Sequence, residues 1–266
     1  MTYMASAAKE SLLALAKNIV AAASASHRQG SRVSTVAPRL GLLHGFEVRL
    51  AGRTLDLPLS AQRLVAFLAL HERPLQRLHV AGCLWLESSE EHANASLRTT
   101  LWRLGRQGYP LVEASGNQMA LAPGVEVDLH EVRAQARRVL RHEVSTPDDV
   151  DDLCLAGELL PDWYDDWVLI ERERFRQMRL HALDALCEEL TAAGRYAAAV
   201  EAGHAAVAAE PLRESAHRLL VAAYLAEGNA CEALRQYRFF RDLLRHALDL
   251  EPSPQMEVMV ALLPVR

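Results

Sequence analysis

Along residues 39–57, RLGLLHGFEVRLAGRTLDL, apolar residues alternate at Phe46, Val48 and Leu50, and Ala51-Gly52 offers a turn before Leu55 and Leu57. A period of two predicts strands, here a small antiparallel sheet. The period then becomes helical: Leu64, Phe67, Leu68 and His71 share one face, with Ser60 as a candidate cap and Pro74 as a stop. A second helix is expected from about 76 to 86, carrying Leu78, Leu84 and Trp85, and a third from about 89 to 107. In LVEASGNQMALA, a Ser-Gly-Asn turn separates two short extended runs, which predicts a hairpin.

After Asp128 the pattern is helical throughout, and a repeat emerges. AGRYAAAV at 193–200 and EGNACEAL at 227–234 align at an offset of 34, Gly194 on Gly228 and Ala199 on Ala233. That offset is the period of tetratricopeptide (TPR) units, in which small residues let paired helices pack closely and each pair buries its remaining face on a neighbour. The pairs Glu210-Pro211 and Glu251-Pro252 are offset by 41, so the second unit is expected to be about two turns longer. The pattern from 163 to 193, with Leu169, Leu180, Leu183, Leu186 and Leu190, supplies further helix.

Strands, three helices and a terminal hairpin are the plan of a winged helix-turn-helix, so the expected fold is an α+β winged domain at 38–127 followed by an all-α, TPR-like domain at 128–266. Residues 1–37 stand apart: SLLALAKNIVAAASAS reads as a short amphipathic helix, interrupted by Lys17 and Asn18, that leads into a Ser/Gly/Arg linker. Half of the 266 residues are apolar and 24% charged, the balance of a globular chain, and no run approaches the roughly 18 apolar residues of a membrane span. No two of the four cysteines lie closer than 33 residues, so they read as buried small hydrophobes in a reducing cytoplasm, without a metal or disulfide framework.

The net charge of -5 argues against nucleic acid until it is divided by segment. Residues 38–128 hold nine basic and nine acidic side chains, whereas 129–266 hold 16 and 24. The acidity therefore belongs to the repeats. On the third helix, at 100° per residue, Ala93, Leu97, Leu101 and Leu104 form a core stripe while Arg98, Thr99, Trp102, Arg103 and Arg106 take the rest of the surface. Glu90 and Glu91 suit the positive end of the helix dipole and the arginines the negative end. An ordinary solvated helix accounts for that sorting equally well; its place in a winged helix-turn-helix favours DNA, where the third helix enters the major groove and the wing reaches the backbone or minor groove.

Other clusters point to structure. TPDDVDD at 146–152 reads as a helix start, with Thr146 as cap and Pro147 at the first helical position, rather than as a metal site. DWYDDW at 162–167 is more simply helix-junction packing than a partner surface. No HxxxH, HExxH, GxSxG or GxxxxGK[ST] spacing occurs, so the sequence offers no catalytic, metal or cofactor site.

The segments QRLVAFLAL, CLW, SLRTTLWRL, GNQMALAPGVEVDL, LAGELLPDW, ERERF and EPLRESAHRLLVAAYLAEGNACEALRQYRFF together resemble the SARP family of bacterial transcriptional regulators over about residues 39–262. The resemblance implies an OmpR-type winged helix joined to a bacterial transcriptional activator domain (BTAD) of TPR-like helices. One departure is that Trp102-Arg103-Leu104-Gly105 stands where the family often has Ser-Arg-Leu-Arg; Trp102, about 140° from the core stripe, is expected to pack beneath the wing. The combined expectation is a cytoplasmic, nucleoid-associated, homodimeric activator of transcription, not an enzyme, that binds double-stranded DNA. Arg98, Thr99, Arg103 and Arg106 would engage the major groove, and Ser115, Asn117 and Gln118 the backbone or minor groove. The resemblance adds contact with RNA polymerase, including its sigma factor. The rival is a protein-interaction adaptor whose winged helix does not read DNA, favoured by the neutral charge of 38–128 and by Gly105; small-molecule sensing in the repeat groove has no residue arguing for it.

Overall fold

The two-residue turn Ala51-Gly52 has φ of 50° and 77°, the left-handed pair that lets a tight hairpin follow the natural strand twist. It joins β2 (Glu47–Leu50) to β3 (Arg53–Thr54), and β2 pairs antiparallel with β1 (Arg39–Gly41), Leu40 opposite Val48. The computed structural model describes residues 37–143 and 147–261, apart from the side chains of 147–150. The expectations for the amino-terminal extension, the Thr146 cap and the carboxylates of Asp148 and Asp149 lie outside the described residues. The first sheet differs from the all-antiparallel one expected. β7 (Glu126–Val127) returns from the hairpin and pairs parallel to β1, giving the order β3-β2-β1-β7.

α1 (Leu59–Leu70) starts at Pro58, whose fixed φ suits a helix start, so Ser60 lies inside the first turn and is not the cap. All seven residues 64–70 are buried, well beyond a single stripe, which makes α1 the central helix of the winged half. Between α1 and α2 (Arg77–Leu84) lies a strand that the sequence pattern did not announce, β4 (Leu75–Gln76). It pairs with β6 (Gln118–Leu121), which pairs in turn with β5 (Val112–Ser115), so the wing is a three-stranded sheet ordered β4-β6-β5. α3 (Glu90–Arg106) is capped by the Ser89 hydroxyl, which accepts the His92 amide at 3.4 Å. It buries Ala93, Leu97, Thr100 and Leu104; Leu101, expected in the core stripe, is only half-buried at its edge.

The helical half comprises α4 (Asp128–Leu140), α5 (Pro147–Leu155), α6 (Asp166–Ala192), α7 (Tyr196–Ala209), α8 (Glu214–Glu227), α9 (Ala230–Leu248) and α10 (Pro254–Ala261). The repeat is physical. Gly194 and Gly228 follow α6 and α8 with φ of 72° and 89°, which a glycine adopts without strain, and Ala199 and Ala233 are both fully buried in the helices that follow. Gly203 permits the close crossing of α7: a Cβ there would stand 3.0 Å from a Leu220 methyl and 3.4 Å from the Cys187 sulfur. α9 has 19 residues against 14 in α7, so five of the seven extra residues of the second repeat lie in that helix. Cys187 is buried as expected, Cys83 and Cys154 are half-buried, and Cys231 is exposed in the first turn of α9, contrary to the reading of all four as core residues.

One apolar core runs from Leu40 through α1, α4 and α6 to Ala223, and a second, formed by Val221, Ala233, Phe240, Leu244, Met256 and Val260, closes the repeat end. At the junction of the halves the backbone of 42–44 meets that of 158–160. His44 N–H donates to Glu158 O at 3.0 Å and Leu160 N–H to Leu42 O at 2.9 Å. Phe46 stacks on Trp163, Phe67 meets Trp167 edge-on, and buried Arg133 of α4 faces Glu72, just after α1, at 3.9 Å. DWYDDW thus serves packing through both tryptophans, while Tyr164 is exposed.

Candidate nucleic-acid interface

α3 presents an outward face because its buried residues recur at 93, 97, 100 and 104, which confines the rest to the opposite side. Arg98, Thr99, Trp102, Arg103 and Arg106 are all exposed there. The Thr99 hydroxyl donates to Ala95 O at 2.9 Å, leaving its methyl and its acceptor lone pairs outward. Several arginines elsewhere are tied to structure: Arg63 pairs with Asp165, Arg213 with Asp184 at 2.9 Å, and Arg179 donates to the carbonyls of Leu153 and Cys154. Among the described residues, Arg98, Arg103 and Arg106 pair with no carboxylate.

The wing turn is held against α2. Arg77 N–H donates to Asn117 O at 2.9 Å and its guanidinium to Gly116 O at 3.4 Å, while Gly116, with φ 56°, takes the first position of the two-residue loop. Ser115 and Gln118 are cross-strand partners beside that loop, and both are exposed, as is Asn117. A cleft of about 560 Å³ between α2, α3 and the wing turn is lined by Arg77, Leu78, Glu91, Asn94, Arg98 and Asn117. The fold therefore brings Arg98 and Asn117 to one cleft. Arg103 and Arg106 lie farther along α3 and do not line it.

Trp102 is not beneath the wing. Its side chain is 61% exposed and the Arg106 guanidinium lies 5.3 Å from its ring centroid. The expected site lay elsewhere because the wing's β6 packs on α1, while position 102 points directly away from the α3 core stripe. Arg77 and Asn94 also escaped the sequence reading. Arg77 becomes visible only once β4 fixes where α2 begins, and Asn94 sits a helical turn before Arg98 on the same side.

Comparison with known proteins bears on most of the chain. Residues 154–262 match the bacterial transcriptional activator domain, which covers the end of α5 and all of α6 to α10. The regulatory protein AfsR of Streptomyces coelicolor is 33% identical over 239 residues, 83% of this chain and 24% of AfsR. The chain belongs to the SARP family. AfsR of Streptomyces griseus is 26% identical over 216 residues, 75% of this SARP chain and 21% of that protein, so the chain spans about a quarter of the length of these relatives. The solved structure of Mycobacterium tuberculosis EmbR, in complex with a low-affinity phosphopeptide, shares the fold with a TM-score of 0.59 at 21% identity, over 85% of this chain and 64% of that one. Among the described residues of this SARP chain, no helix is long and apolar enough to cross a membrane.

Proposed function

We propose that the chain is a transcriptional regulator that binds double-stranded DNA sequence-specifically through residues 38–127 and presents residues 128–266 to RNA polymerase, including its sigma factor, as a homodimeric activator. α3 lies in the major groove with Arg98, Thr99, Arg103 and Arg106 toward the bases and phosphates. Ser115, Asn117 and Gln118 of the wing touch the backbone or the adjacent minor groove. The observation that carries this reading is the outward face of α3, where, among the described residues, three arginines stand on one helix with no carboxylate partner. Guanidinium groups without a carboxylate partner suit bidentate contact with guanine and charge contact with phosphate. The shared core and backbone pairing between the halves give the repeats a fixed handle on α3.

Selection of bound duplexes from a random pool tests the reading. An enriched motif is expected, with log affinity falling linearly with log salt and Arg106→Ala reducing that slope by about 1. One of Arg98→Ala and Arg103→Ala should flatten the preference at one base position by about 1–3 kcal/mol while the melting temperature holds. Leu97→Ala, which empties a fully buried position, serves as the folding control. No enriched motif, with intact folding, would hand the lead to the adaptor reading.

A further inference from the structure

Trp102 stands at the centre of the outward face of α3. At 100° per residue, Arg98, Trp102 and Arg106 follow one another at i, i+4 and i+8 as a ridge on the side opposite Leu97 and Leu104. The fold does not need an indole there, because the core positions of α3 are already filled. Leaving the largest apolar side chain in water forfeits the stabilisation of burying it, and Trp is among the residue types that most often carry binding energy at interfaces. The ring's partner among the described residues is the Arg106 guanidinium, which covers it at 5.3 Å.

The side chains that project directly away from the core, as does that of Trp102, the thirteenth residue of α3, are the ones that face the floor of the major groove when the helix lies in it, since the groove, about 12 Å wide, is filled by a helix with its side chains. An indole offers one N–H donor and an otherwise apolar surface. The apolar feature displayed by bases in that groove is the 5-methyl group of thymine. We propose that Trp102 is a specificity-determining residue that packs on a thymine 5-methyl group, with Arg106 stacked on the ring and thereby pre-ordered for its own contact. This rests on α3 being the DNA-contacting helix. Stacking narrows the rotamers of a long side chain before binding, so Arg106 loses less freedom when it engages guanine or phosphate.

The test replaces each thymine of the selected duplex in turn by deoxyuridine, which deletes one methyl and leaves the pairing edge intact. With the full wild-type chain, affinity is expected to fall about fourfold at one thymine per half-site, the amount one buried methyl contributes, and to change little at the others. Trp102→Ala should erase that sensitivity, Trp102→Phe should retain part of it, and both should keep the wild-type melting temperature. Titrations at low salt, where phosphate attraction strengthens, keep a weakened variant on the duplex so that its base preference stays readable. A wild-type chain indifferent to every methyl deletion overturns the proposal while leaving DNA binding intact, as does an alanine variant with unchanged methyl sensitivity. A wild-type chain that selects no duplex at all overturns the DNA reading itself and this inference with it.

Discussion

Trp167 measures how firmly the two halves are joined. Its ring meets Phe67 of α1 edge-on at 5.2 Å and Trp163 at 6.2 Å, and Trp163 stacks on Phe46 at 5.7 Å, so four aromatic rings run from the winged half to the start of α6. Truncating a buried Trp to Ala costs about 3–5 kcal/mol, and each aromatic pair adds about 0.5–1.5 kcal/mol beyond area. Trp167 keeps some exposure, so Trp167→Ala is expected to cost about 3 kcal/mol. Its indole nitrogen is buried without a hydrogen-bond partner among the described residues. A phenyl ring keeps the edge contact and removes that unpaired donor, so Trp167→Phe should stay within about 1 kcal/mol of wild type. Urea unfolding of the full chain, followed separately by far-ultraviolet circular dichroism and indole fluorescence, gives both values and shows whether the transitions coincide. Equal losses for the two variants, or an alanine loss below about 1 kcal/mol, would refute the assignment of the ladder as the joint.

Gly105 has ordinary helical backbone, and a Cβ there meets nothing within 4 Å, so Gly105→Ala should raise stability by about 0.5–1 kcal/mol in a thermal or urea melt. The Asp128 carboxylate accepts the amides of Leu42 and Leu43 at 2.9–3.0 Å; Asp128→Ala strands two buried donors and should cost about 2–4 kcal/mol, with Asp128→Asn recovering part of it. His217 is fully buried between Pro211 O and the Gln236 amide, and burial holds its imidazole below its ordinary value of 6.5. The unfolded chain therefore takes up the proton first. The stability from neutral His217 is present above that ordinary value and is lost as pH falls below it toward the folded value, so His217→Gln should flatten the urea midpoint between about pH 7.5 and 5.5.

Local chemistry was legible in the sequence wherever a single element decides it. The Ala51-Gly52 turn, the start of α3 at about residue 89 and the glycines aligned at 194 and 228 each follow from residue type and period, and each occurs where expected. Non-local pairing was not legible. β4 is two residues long, too short for any period, and exists because Leu75 and Gln76 find Met119 and Gln118 across the wing. The parallel pairing of β7 with β1 depends likewise on where the chain returns after the hairpin. On α3 the helical wheel identified the outward face correctly but could not say what stands opposite it. Thr100 is buried because its hydroxyl donates to Ser96 O at 2.9 Å and so carries no unpaired donor into the core. Trp102 is exposed because the wing rests on α1, a tertiary fact that no wheel contains.

The net charge misled for a related reason: it counts residues that a phosphate never meets. On the first sheet Glu47 pairs with Arg49 at 3.0 Å and Glu126 with Arg39 at 3.2 Å, while Glu72 faces Arg133 and Arg137 of α4 at 3.9 and 3.7 Å. Those carboxylates are occupied by neighbouring cations, whereas the arginines of the outward α3 face pair with no carboxylate among the described residues. A bound duplex samples charges within a Debye length of about 8 Å at physiological salt, so location should outweigh the total. Two substitutions that change the net charge equally separate the views. Glu91→Gln removes a carboxylate from the cleft that Arg98 and Asn117 line, and should raise affinity for the selected duplex about twofold at low salt. Glu126→Gln removes one that is paired with Arg39 on the four-stranded sheet, and should leave affinity unchanged. Glu91 also favours the start of its helix, so its replacement should lower stability by about 0.3–1 kcal/mol, and tighter binding by a less stable chain would fix the gain in the cleft. Equal gains from both variants would mean that DNA responds to the overall charge of the molecule, and the outward face of α3 would lose its standing as the local site.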